Sequence, residues 1–140
     1  MKLVPIFGLA LAFALGAGIA VADDQRLDEA WKDALEEKEG LLTEKQEAAM
    51  NVLAFQSAAT RVCDGFEIDP AKFETAFAAA VDPGSLEVTP EDRLHRDNAI
   101  LVNFGIAVGL FIAEGKAAPE GFCANAEEAR KDTTLPVVWE

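Results

Sequence analysis

The chain has 140 residues, with 12 Lys plus Arg against 25 Asp plus Glu, a formal net charge of −13 at pH 7. Charge of that sign is repelled by nucleic acid and anionic lipid, and the length suits a single domain. One His, two Cys and no Tyr leave few ways to assemble a catalytic centre.

Lys2 opens a run from Leu3 to Ile19 that is almost wholly apolar, followed by the small-x-small triplet Ala20-Val21-Ala22. This is the pattern of a cleavable signal peptide over residues 1–22. A retained membrane anchor is the competing reading, disfavoured by Pro5, Gly8, Gly16 and Gly18 within the run. Cleavage after Ala22 leaves a helical domain over residues 23–132 and a tail over 133–140. The mature chain loses one Lys and no acid, so 11 bases face 25 acids and the charge becomes −14. Export implies a periplasmic or secreted protein. In that compartment Cys63 and Cys123 are expected to form one disulfide.

From Asp23 to Glu39 the apolar residues Leu27, Ala30, Trp31, Ala34 and Leu35 recur at helical steps, and Gly40 ends the pattern. Thr43-Glu44-Lys45-Gln46 reads as a capping box for a second helix, which stops near Gly65 with Cys63 at its end. Asp69-Pro70 starts a third, whose buried stripe is Phe73, Ala76, Phe77, Ala80 and Val81, and Asp82-Pro83-Gly84 terminates it. Thr89-Pro90-Glu91-Asp92 repeats the start signal for a fourth helix ending at about Glu114 and Gly115.

Asn103 is the only polar side chain between Ala99 and Ala113. The fourth helix is therefore predicted to be the one the others wrap, too short to span a membrane, with Gly105 and Gly109 admitting a neighbouring backbone. After Pro119 and Gly121 come Phe122-Cys123 and a short acidic helix from about Asn125 to Lys131. Leu135 to Glu140 either docks on the body or binds a partner through Val137, Val138 and Trp139, docking being preferred. The predicted fold is all-α: a bundle of about four helices plus a short C-terminal helix, tied by one disulfide.

No nucleophile elbow, phosphate-cradling glycine loop or paired Glu-x-x-His unit is present, and the protein is read as no enzyme, without a cofactor and without a metal. Glu91, Asp92 and His95 lie within about a helical turn, and Asp64, Glu67 and Asp69 surround Gly65 without matching an EF-hand loop. Met50 and His95 are the only Met/His pair for a haem after cleavage, and Met50 is more simply a core residue. Arg93, His95 and Arg96 make the one basic spot. With Trp139 they are the weak candidates for a binding site, although Glu91, Asp92 and Asp97 stand close enough to neutralise them.

The order Cys63-Asp64-Gly65-Phe66, a Phe- and Ala-rich helix, an apolar Gly-x-x-x-Gly helix and Phe122-Cys123 resembles small two-cysteine periplasmic helical proteins, among them acid-stress chaperones, over about Val62 to Ala126. The resemblance implies a disulfide-held core that loosens in acid and exposes apolar surface. Independently, protonation of 25 carboxylates below about pH 4 turns the net charge positive. The leading expectation is a non-enzymatic periplasmic binding or accessory protein for another envelope protein, not inserted in the membrane once cleaved. The alternatives are an acid-stress chaperone-like protein, or a carrier of a small apolar ligand or cofactor in a pocket lined by Phe55, Phe73, Phe77, Phe104 and Phe111.

Overall fold

The computed structural model describes residues 26–33, 42–84 and 89–140. The predicted signal peptide, Ala34, Leu35, Gly40 and Ser85 lie outside them. Residues 26–33 are helical (α1), followed by α2 (Glu44–Val62), α3 (Pro70–Val81), α4 (Pro90–Ala117) and α5 (Pro119–Lys131). The described residues form an all-α bundle with no named strand; a single antiparallel bridge joins Ile68 to Trp139.

The helix starts follow from local chemistry. Thr43 accepts the Gln46 amide while the Gln46 side chain accepts the Thr43 amide, a reciprocal capping box. Asp69 accepts the amides of Ala71 and Lys72 at 2.9 and 3.1 Å, and Thr89 accepts that of Asp92. In both cases a Pro at the first helical position loses no bond.

Two boundaries differ from expectation. Gly115 does not end α4, because its missing side chain serves packing: a Cβ there would stand 3.0 Å from the Phe122 ring and from Val62. The helix continues to Ala117, and Pro119 forces the break. Pro119 is then the first residue of α5, which begins six residues earlier than the predicted Asn125 and carries Cys123 within it.

The centre of the bundle is α2, not α4. Met50, Leu53, Ala54, Gln56, Ala58 and Ala59 of α2 are buried, whereas α4 buries only Ile100, Ala107 and Gly115. Small side chains explain the exchange, since Ala54, Ala58 and Ala59 let neighbouring backbones approach α2 closely. At 28 residues α4 is also long and apolar enough to cross a membrane by length and composition, which corrects the expectation that it is too short. Only 17% of its most apolar stretch is buried.

Two clusters fill the interior. One gathers Ala58, Cys63, Phe66, Phe122, Ala126 and Trp139; the other gathers Met50, Leu53, Ala80, Ile100 and Val138. The disulfide joins Cys63, at the end of α2, to Cys123 in α5, with Cα atoms 5.6 Å apart and 60 residues between them in sequence.

The carboxyls of Asp69 and Asp132 are both held below the ordinary value of 3.8. The Lys72 amide is the main cause at Asp69, and the Thr134 hydroxyl at Asp132. A depressed carboxyl contributes stability that is whole above the unfolded value and is lost as pH falls through the folded one. The melting temperature should therefore fall more between about pH 5 and pH 3 in the native protein than in the double variant Asp69→Asn/Asp132→Asn, whose side chains still accept hydrogen bonds but do not titrate. Identical acid limbs in thermal melts would contradict this role.

Candidate functional site

The C-terminal tail docks on the body. Val138 and Trp139 are each 1% exposed, and their seat is built around Gln56, a mid-helix amide also 1% exposed. The Gln56 side chain donates to the Pro136 carbonyl at 2.6 Å and accepts the Val138 amide at 2.8 Å, while the Trp139 indole N–H donates to the Gln56 carbonyl at 3.0 Å. Beyond the bridge, Lys72 Nζ donates to the Trp139 carbonyl at 2.7 Å. Arg130 lies over the Phe66 ring at 3.8 Å, and Phe66 meets Trp139 edge-on at 4.7 Å between centroids. Trp139 is thus a core residue and presents no surface to a partner.

The basic spot near the start of α4 is dispersed by the helical turn. Arg96 turns inward and donates to the Val81 carbonyl at 3.1 Å, satisfying the end of α3, with Asp97 3.5 Å away. Arg93 lies on the groove between α3 and α4, and His95 is exposed. Glu91, Asp92 and His95 are all exposed, and the Asp92 carboxylate accepts the Thr89 hydroxyl at 2.6 Å. Asp69 is occupied in capping α3. No group of three His, Cys, Asp or Glu side chains suited to a metal ion occurs among the described residues. The Ser57 hydroxyl donates to its own helix at Leu53, so it faces no base.

The phenylalanines fall into two groups. Phe73, Phe77 and Phe104 pack ring on ring at 5.3–5.9 Å; Phe55 packs on Phe111 and Phe122, and Trp31 of α1 meets Phe111 at 4.7 Å. The rings of both groups are half-buried except that of Phe122, which is buried, and Phe55 and Phe111 also line an open groove of about 330 Å³. Beside Phe104, Met50 and Ile100 line a cavity of about 20 Å³, room for one water-sized molecule.

Among the described residues the outer side of α4 is open. Leu94, Leu101 and Val102 are 63%, 55% and 63% exposed, and Gly105, Gly109 and Ala113 continue the same side toward the C-terminus. Residues 98–113 carry no charge at all in a chain of net charge −13. At its inner edge this side runs into an open groove of about 650 Å³ between α3 and α4, lined by Phe77, Val81, Ile100 and Leu101 with Arg93 and Asp97 at one end. The expectation that Gly105 and Gly109 admit a neighbouring helix of the same bundle is not met among the described residues: a Cβ at either would meet nothing of them within 4 Å.

A glycine inside a helix costs roughly 0.5–1 kcal/mol relative to alanine. At Gly115 close packing offsets that cost, whereas at Gly105 and Gly109 nothing among the described residues does. Gly105→Ala and Gly109→Ala should each stabilise the monomer by about 0.5–1 kcal/mol, and Gly115→Ala should destabilise it by about 1–3 kcal/mol through crowding of Phe122 and Val62. Urea unfolding of the three variants as dilute monomers checks the opposite signs.

The exposed apolar side is missed by sequence reasoning because α4 is apolar on every side; the available signal is the spacing of Asn98, Val102, Gly105 and Gly109, which lie along one seam. No known protein family, curated protein or solved structure matches the chain.

Proposed function

We propose that the chain is an exported, non-enzymatic binding protein of the cell envelope, and that the outer side of α4 is the surface it presents to another protein chain. The observation that carries the reading is the apolar outer side of α4, uncharged over residues 98–113, along which Leu94, Leu101 and Val102 are more than half exposed. Contiguous exposed apolar surface on an otherwise acidic protein marks an interaction site. Export is supported by the apolar run from Leu3 to Ile19 with its Ala20-Val21-Ala22 triplet, and by a disulfide of the kind that persists in oxidising compartments. A binding rather than a catalytic role is supported by the scatter of Ser57, His95 and the carboxylates over separate faces.

A photoreactive amino acid at Val102, activated in intact cells, tests the reading, with the same group at exposed Glu128 of α5 as control. The expected result is a protein adduct from position 102 and none from 128. Lipid adducts alone, or equal labelling from both positions, would contradict it.

A further inference from the structure

The seam on the outer side of α4 is self-complementary in one register, and we infer that its occupant is a second copy of this chain, packed antiparallel along α4. The inference rests on the binding role proposed above and names the partner. Glu91, His95, Asn98, Val102, Gly105, Gly109, Ile112 and Lys116 follow one another at alternating steps of four and three, the spacing that keeps a stripe facing a partner helix. All are exposed except Ile112, which is half-buried.

The seam has two unlike halves. Leu94, Leu101 and Val102 make a ridge in the N-terminal half, and Gly105, Gly109 and Ala113 make a furrow in the C-terminal half. A parallel partner would set ridge on ridge and leave furrow facing furrow. An antiparallel partner whose twofold axis passes between Asn103 and Phe104 sets Val102 on Gly105, Asn98 on Gly109 and Leu94 on Ala113, twice each by symmetry. Small residues there let the two backbones approach closely.

Charge selects the same register. Glu91 and Lys116 close the two ends of the seam, about 38 Å apart at 1.5 Å per residue. The axis that matches ridge to furrow places Glu91 of each copy on Lys116 of the other. The parallel arrangement would bring like charges together at both ends. Antiparallel pairing also opposes the two helix dipoles. The uncharged stretch between the ends is where two copies of so acidic a chain meet with least repulsion.

Sedimentation equilibrium of the purified protein, disulfide intact, is expected to give twice the chain mass at micromolar concentration. Glu91→Lys and Lys116→Glu should each weaken the dimer on the order of tenfold, since each change spoils two symmetric ion pairs. The two changes together should restore it. Val102→Asp should give a monomer with an unchanged circular dichroism spectrum, because the position is exposed. A monomer at every concentration overturns the inference, as does a dimer that the double charge reversal fails to restore. Either result leaves the binding role standing if position 102 still cross-links to a different protein. Partition onto phosphatidylcholine vesicles that Val102→Asp abolishes overturns both.

Discussion

Removal of the Cys63–Cys123 bridge is expected to lower the stability of the fold by about 4 kcal/mol, the chain-entropy value for a loop of 60 residues. The loop contains α3, α4 and the turn around Gly65, and the bridge cross-links the end of α2 directly to α5. The unfolded chain gains most when the tie is cut. A small domain has only about 5–15 kcal/mol in total, so the reduced protein should unfold at a markedly lower urea concentration. Cys63→Ala/Cys123→Ala should behave as the reduced protein does, and reductant should have no further effect on it. A urea midpoint unmoved by reduction would show that the helices hold without the bridge.

Trp139→Ala carries the second large effect, an expected loss of about 3–5 kcal/mol. The indole is 1% exposed, touches the Phe66 ring and donates a hydrogen bond to α2. Its removal opens a cavity in one core cluster and unseats Val138 from the other. Trp139→Phe keeps most of the volume and loses the N–H donor, so it should cost only about 1–2 kcal/mol. The ratio between the two variants separates packing from hydrogen bonding. If Trp139→Ala melts within a degree or two of the native protein, the tail is not part of the core.

The helix starts and the disulfide were legible in the sequence because each depends on few, local or countable features. Thr43, Asp69 and Thr89 announce their helices through cap chemistry that needs no tertiary context. Two cysteines admit one intrachain pairing. The helix ends were less legible, since Gly115 stops nothing when its bare Cα is needed against Phe122 and Val62.

Apolar composition pointed to α4, but the bundle is centred on α2, where alanines allow close approach and a glutamine amide organises the tail. Gln56 reads as an ordinary surface residue until Pro136 and Val138 are seen to occupy both ends of its side chain. An apolar residue also carries no mark of which neighbour will cover it. Leu101 and Val102 therefore read as core in the sequence and stand in the open in the fold.

The central claim, that the outer side of α4 is covered by another protein chain in the envelope, is tested most directly by hydroxyl-radical footprinting read out by mass spectrometry. Leu94, Leu101 and Val102 would be compared between the dilute purified protein and intact cells, with buried Leu53 and exposed Pro136 as internal references. Strong labelling of the three α4 residues in dilute solution and their protection in intact cells are expected, with the references unchanged. Labelling of all three to the same extent in both states would contradict it.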